Sequence, residues 1–153
     1  MRHPFFTRSP GGFSILELVC ALVIVVIFSA IAYPAYLNAI TTARRAEAKS
    51  ALHALMLQQE RYYLTHNTYL AYDSETNDGT FKWWSGESAA SSYYEIHASA
   101  CPNKLLDQCV LLTAYPGTTK VRLHTDPICG NLMLDSANNK TYSVSKEPNT
   151  ACW

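Results

Sequence analysis

The chain reads as an α+β protein: one long N-terminal helix, apolar in its first half and amphipathic in its second, packed on an antiparallel sheet of four strands or so. Three observations predict it. Phe13 to Tyr36 is almost wholly apolar. The following stretch, LNAITTARRAEAKSALHALMLQQERYY, is rich in good helix formers and carries apolar residues at spacings of mostly three and four. Beyond Tyr93 the pattern changes to period two and short segments separated by turn residues.

Taken in order, residues 1–12 form a short leader, MRHPFFTRSPGG, with Arg2 and Arg8 and no apolar core of its own. Residues 13–36 make a helix of about 36 Å at ~1.5 Å per residue, longer than the roughly 30 Å of a bilayer's hydrocarbon core. Apolar on every side, such a helix belongs in lipid or among similar helices. The cationic residues ahead of it favour a cytoplasmic N-terminus and a head on the far side of the membrane. Glu17 is the departure. A carboxylate in a membrane segment costs on the order of 3 kcal/mol, less near its edge, and calls for a partner. Cleavage between Gly12 and Phe13 would supply one, a free α-amino group one turn before Glu17. Pro34 removes a backbone donor and is expected to bend or locally break the helix.

Residues 37–66 are the amphipathic half. Ala48, Ala51, Leu52, Leu55, Met56, Tyr62 and Tyr63 form the stripe for the sheet, while Arg44, Arg45, Glu47 and Lys49 are expected on the exposed side or against neighbouring subunits. His66-Asn67-Thr68-Tyr69 ends the helical pattern. Residues 67–153 form the head. Asp73 to Ser92 reads as a long connecting loop on the domain edge, with Trp83 and Trp84 as a possible interface pair. Strands are expected over Tyr93 to Ala100, Cys109 to Tyr115, Lys120 to His124 and Leu132 to Leu134. The last pairs with Thr141 to Val144 in a hairpin around Asn138-Asn139, and together they form a meander.

The run Gly12-Phe13-Ser14-Ile15-Leu16-Glu17, behind a basic leader and ahead of the apolar stretch, resembles the prepilin signature of type IV pilins and pseudopilins. The resemblance implies a membrane peptidase that cuts after Gly12 and N-methylates Phe13. It implies that Glu17 pairs with the amino terminus of a neighbouring subunit during assembly, and that Pro34 is the helix-bending proline. RYYLTHNTYLAY is similar to the helix exit of these pilins. D-P-I-C-G-N-L-M-L-D-S from Asp126, with the closing Cys152-Trp153, resembles PilE-type minor pilins; Asn138-Asn139 stands where that pattern has a glycine. The implied fold is the type IV pilin fold. The implied partners are other pilins through the N-terminal helix, prepilin peptidase and the inner-membrane assembly machinery. The implied location is the inner membrane with the head in the periplasm, then the extracellular pilus.

The 153 residues hold five cysteines. Cys20 lies in the apolar run and reads as a small filler. The other four, in a head beyond a membrane anchor, read as two disulfides, and three pairings are possible. Strand order selects Cys101–Cys109, which joins the end of the first strand to the start of the second. It leaves Cys129–Cys152 to tie the chain's end beside the third main strand.

Basic and acidic residues number 12 each. From Thr65 onward, however, nine acids face six bases. That balance argues against strong sequence-independent nucleic-acid binding. None of His3, His53, His66, His97 or His124 has metal-ligand spacing, and no nucleophile, zinc-protease or phosphate-loop motif occurs. No enzyme, cofactor or metal is therefore expected. The leading reading is a structural one, a minor pilin incorporated into or priming the filament. The alternatives are a DNA-uptake or adhesive pilin at the filament tip, or a type II secretion pseudopilin.

Overall fold

The computed structural model describes residues 14–144 and 152–153. The leader, Gly12 and Phe13 lie outside the described residues. The chain divides into two units, Met1–Ala39 and Ile40–Trp153.

One helix, α1, runs Ile15–His66 over 52 residues. Its part in the first unit is apolar, every side chain from Ser14 to Ala39 is exposed, and Glu17 sits in the first turn. Among the described residues α1 is the one helix long and apolar enough to cross a membrane. It stays helical through Pro34, so the expected local break does not occur.

In the second unit α1 buries Arg45, Ala48, Leu52, Leu55 and Gln59, a three-four-three-four spacing that places them on one face. The helix ends where Asn67 adopts the left-handed conformation (φ 54°) and its N–H returns to the Tyr63 carbonyl at 2.8 Å. Asparagine tolerates that conformation and so serves as the stop.

That face packs on a four-stranded antiparallel sheet: β1 (Tyr94–Ala100), β2 (Val110–Pro116), β3 (Leu132–Asp135) and β4 (Lys140–Tyr142), paired in sequence order. The register sets Ile96 opposite Ala114, Leu112 opposite Leu134, and Leu132 opposite Tyr142. Strand alternation then sends Tyr94, Ile96, Ala98, Val110, Leu112, Ala114, Leu132 and Leu134 to the helix side, where all are buried. A one-residue slip would turn this whole set outward, so burial itself specifies the register.

One strand reading needs correction. Lys120–His124 is not a strand. Gly117 (φ 60°) turns the chain back with its N–H on the Tyr93 carbonyl, and a side chain there would collide with the His124 backbone. The segment after it is held piecewise: Arg122 N–H donates to the Ser92 carbonyl, Val121 is buried, and Thr118 donates to Glu95. It has no strand beside it with which to build a ladder. Asp73–Ser92 is a connecting segment packed on the edge of the sheet. Bridges at Tyr72–Ala98 and Trp84–Glu95 close the outer edge of β1, a short 3-10 turn spans Ala89–Ser91, and buried Phe81 stacks on Tyr72 at 5.1 Å. The edge that would otherwise template pairing with another chain is thereby covered. At the β3–β4 tip Asn138 takes φ 63° itself, and Asp135 accepts from the Asn139 backbone and side chain at 2.8 Å, so no glycine is needed.

The disulfides are Cys101–Cys109 (Cα–Cα 5.5 Å) and Cys129–Cys152 (5.7 Å), the pairing that strand order selects. Cys129 and Cys152 are fully buried in the core. By loop-closure entropy the longer bridge contributes up to about 3.4 kcal/mol and the shorter about 2.6. Cys152→Ser is therefore expected to accelerate limited proteolysis of the oxidised full-length chain more than the Cys101→Ser/Cys109→Ser pair does. Digestion rates for the three proteins side by side check this; equal rates would mean that the C-terminal bridge has no special weight.

Candidate functional site

Of the residues that the sequence singled out, Glu17, Cys20 and Pro34 belong to the first unit, and Trp83, Trp84 and the paired cysteines to the second. Gly12 and Phe13 are outside the described residues. Glu17 is exposed in the first turn of α1, Cys20 is an exposed free cysteine, and Pro34 lies inside the helix. Trp83 packs against the core, and Trp84 meets it edge-on at 5.1 Å, with the Lys82 ammonium 5.8 Å from the Trp84 ring and the indole N–H on the Glu87 carbonyl. The pair therefore divides its labour: one ring roots the segment and the other is carried on it. Cys101, Cys109 and Asp135 come together, but their two sulfurs bond each other and offer no thiolate to a metal.

A polar network missed in the sequence lies beneath the sheet. Arg45 was expected outside, yet it is 4% exposed and meets buried Asp126 through two hydrogen bonds, Nε to Oδ2 and Nη2 to Oδ1, both 2.6 Å. Tyr94 donates its hydroxyl to Oδ2 at 3.0 Å, and the Ile128 and Cys129 amides donate to Oδ1 at 3.2 and 3.0 Å. Burial pushes the Asp126 carboxyl up, but Arg45, the Cys129 amide and Tyr94 together hold it below the usual carboxylate range. Burial beside Asp126 pushes the Tyr94 hydroxyl well up. The one sequence signal was positional, since Arg45 and Gln59 continue the three-four spacing of Ala48, Leu52 and Leu55. Gln59 is likewise buried and clamps the chain after the helix, donating to the Leu70 carbonyl at 2.6 Å and accepting from its N–H at 3.0 Å.

Beside this network lies a cationic surface. The Arg44 guanidinium stands 3.8 Å from the centre of the Tyr93 ring and donates to Nδ1 of His124 at 3.0 Å. Arg122 lies 5.5 Å from the same ring and donates to the Tyr93 hydroxyl at 3.2 Å. Neither arginine has a carboxylate partner among the described residues. A guanidinium only donates, so Nδ1 of His124 accepts and the ring proton sits on Nε2, which is buried with no partner among the described residues. Burial, then Arg44, pushes the His124 pKa down, so the ring is neutral at neutral pH. Two guanidinium groups beside one aromatic ring, without an acid, form a receptive place for an anion.

The apolar N-terminal helix, the covered four-stranded meander and the helix-sheet core make up the type IV pilin fold. Residues 34–133 match the family described as "Type IV minor pilin ComP, DNA uptake sequence receptor", and the chain belongs to that family. Among solved structures, a type IV pilin from Shewanella oneidensis is 24% identical over 73% of this chain and 96% of its own, with a TM-score of 0.44. The non-core minor pilin PilV of Neisseria meningitidis is 19% identical over 71% of this chain and 91% of its own, with a TM-score of 0.47. No curated protein gives a significant sequence match.

Because removing Arg45 would strand a buried carboxylate, Arg45→Ala is expected to destabilise the protein by about 3–5 kcal/mol, measured by denaturant unfolding of the oxidised chain. The sign with pH follows from the depressed Asp126 pKa. Its contribution is present above the usual aspartate range and is lost as pH falls through the lower folded value, so wild type loses it below about pH 4. Asp126→Asn should flatten that acid limb; an unchanged limb would show that Asp126 is not its source.

Proposed function

We propose that this minor pilin waits in a membrane through its apolar helix and then enters a pilus filament as a subunit cut after Gly12 and methylated on Phe13. The observation that carries the reading is the family match over residues 34–133; ahead of it, residues 14–33 of the chain are exposed, apolar and bear a single carboxylate, Glu17. Lipid contacts on that helix are exchanged for helix contacts on assembly, and Glu17 meets the amino group of a neighbouring subunit. Its partners are then other pilins, the peptidase and the assembly machinery. The head lies on the side away from the cytoplasm, in an oxidising compartment where its disulfides form. Trp84, carried on the rooted Trp83, is the side chain we assign to a subunit contact. The role requires no catalysis or cofactor. With Glu17→Ala, insertion and cleavage are expected to proceed, and intact mass should place the mature start at Phe13. Recovery in sheared filaments should fall at least about tenfold, since the incoming amino group loses its partner. Wild-type recovery would remove Glu17 from assembly.

A second reading, capture of DNA by the head, is favoured by the family's description as a DNA uptake sequence receptor and by the Arg44–Tyr93–Arg122 surface. The acidic balance of the head works against diffuse attraction, so binding would rest on this local cluster. Arg122 is exposed, whereas Arg44 also supports His124, which makes Arg122 the cleaner position to change. Arg122→Ala is expected to weaken duplex binding by the full-length chain and to lower the slope of log K against log salt by about 1. No binding at low salt, or an unchanged slope, would reject this surface.

A further inference from the structure

The sheet's outer face carries a cleft of about 420 Å³ that neither reading uses. It lies beside the place where the chain after α1 bridges the edge of β1 at Tyr72–Ala98, and its lining includes Asp73, Thr76, His97, Ser99, Thr113 and Tyr115. Its size falls within the range of small-molecule sites, roughly 300–1,000 Å³. The register explains its construction. His97 pairs with Thr113 across the strands, and Glu95 pairs with Tyr115, so these side chains share the face opposite the core.

Thr113 is the informative residue. It is only 6% exposed, its neighbours Leu112 and Ala114 are fully buried in the core, and its backbone is paired on both sides, with His97 and Met133. Alternation places its side chain on the cleft face, where the hydroxyl makes no side-chain hydrogen bond among the described residues and is open to solvent. The walls are preorganised. The His97 and Tyr115 rings stand 4.8 Å apart at 51°, and Nε2 of His97 is fixed by Glu95 at 2.9 Å. Glu95 is itself buried and bonded to Thr118. Across the cleft, Asp73 is fixed through Oδ1 by the Glu75 and Thr76 amides and the Thr76 hydroxyl, at 2.7–2.9 Å. Its Oδ2 has no partner among the described residues.

The lining chooses the ligand class. No lysine or arginine reaches the cleft, which disfavours phosphate and nucleic acid. Tilted aromatic rings offer a surface to aliphatic C–H groups, while a free carboxylate oxygen and the Ser99 and Thr113 hydroxyls suit a ligand crowded with hydroxyl donors and acceptors. We propose that this cleft is a binding site for a neutral saccharide of one or two rings. The pilin head then recognises a surface glycan through the sheet's outer face, apart from the Arg44–Tyr93–Arg122 surface.

The test uses the full-length oxidised chain in a detergent without a sugar headgroup, applied to an array of neutral mono- and disaccharides. Capture by at least one saccharide is expected. Ser99 is exposed, so Ser99→Trp should fill the cleft and weaken that binding at least about tenfold. Thr113→Val, which keeps the shape and removes only the hydroxyl, should weaken it several-fold if Ser99→Trp fails to fold. Arg122→Ala should leave it unchanged. Absence of capture by every saccharide, capture that survives both cleft variants, or a cleft variant that impairs duplex DNA binding instead would overturn the proposal.

Discussion

The head depends on the meeting of Arg45 and Asp126. The pair joins three parts of the chain that are distant in sequence: α1 through Arg45, β1 through Tyr94, and the turn that delivers Cys129 through the amides of Ile128 and Cys129. Two charges taken out of water lose several kcal/mol of hydration each, and Coulomb attraction repays this only where geometry is good and the remaining lone pairs are used. Here both carboxylate oxygens are used and the guanidinium is bidentate. Such a pair adds little net stability over an apolar replacement, but it tolerates few alternatives. An apolar stripe alone would allow the helix to slide or rotate on the sheet, whereas a buried charge with one matching partner does not.

Around this fixed point the sheet manages its two faces differently. The inner face is apolar and closes on α1. The outer face keeps Glu95 buried, which is costly for a carboxylate on its own. Burial pushes its pKa up, but the hydroxyls of Ser74 and Thr118 and the His97 ring bring it below the usual range. Glu95 thereby anchors the segment after Gly117 and orients His97. The bridges at Tyr72 and Trp84 cover the edge of β1, so what the head presents to its surroundings is side chains and not an open ladder.

This division suits a filament subunit. Disulfides tie the segments between strands that no ladder holds. The surface at Tyr93 carries two arginines, whereas the cleft at Thr113 is lined by one carboxylate, Asp73, and by no lysine or arginine.

The long helix, the order of the strands and the disulfide pairing were legible in the sequence because each rests on local periodicity or on a short list of options. Period three to four, period two and four cysteines in a meander leave few arrangements. The site was less legible. Arg45 looked like a surface charge because its partner lies 81 positions away, and only packing brings Asp126 beneath it. Lys120–His124 looked like a strand because its composition suits one, yet a strand needs a neighbour, and the fold places Ser92 and Glu95 there as isolated clamps. Local patterns thus determined which elements exist and how they follow one another. Burial of charge and the pairing of distant groups were decided by the tertiary structure, because the cost of desolvating a group is set by what surrounds it in space.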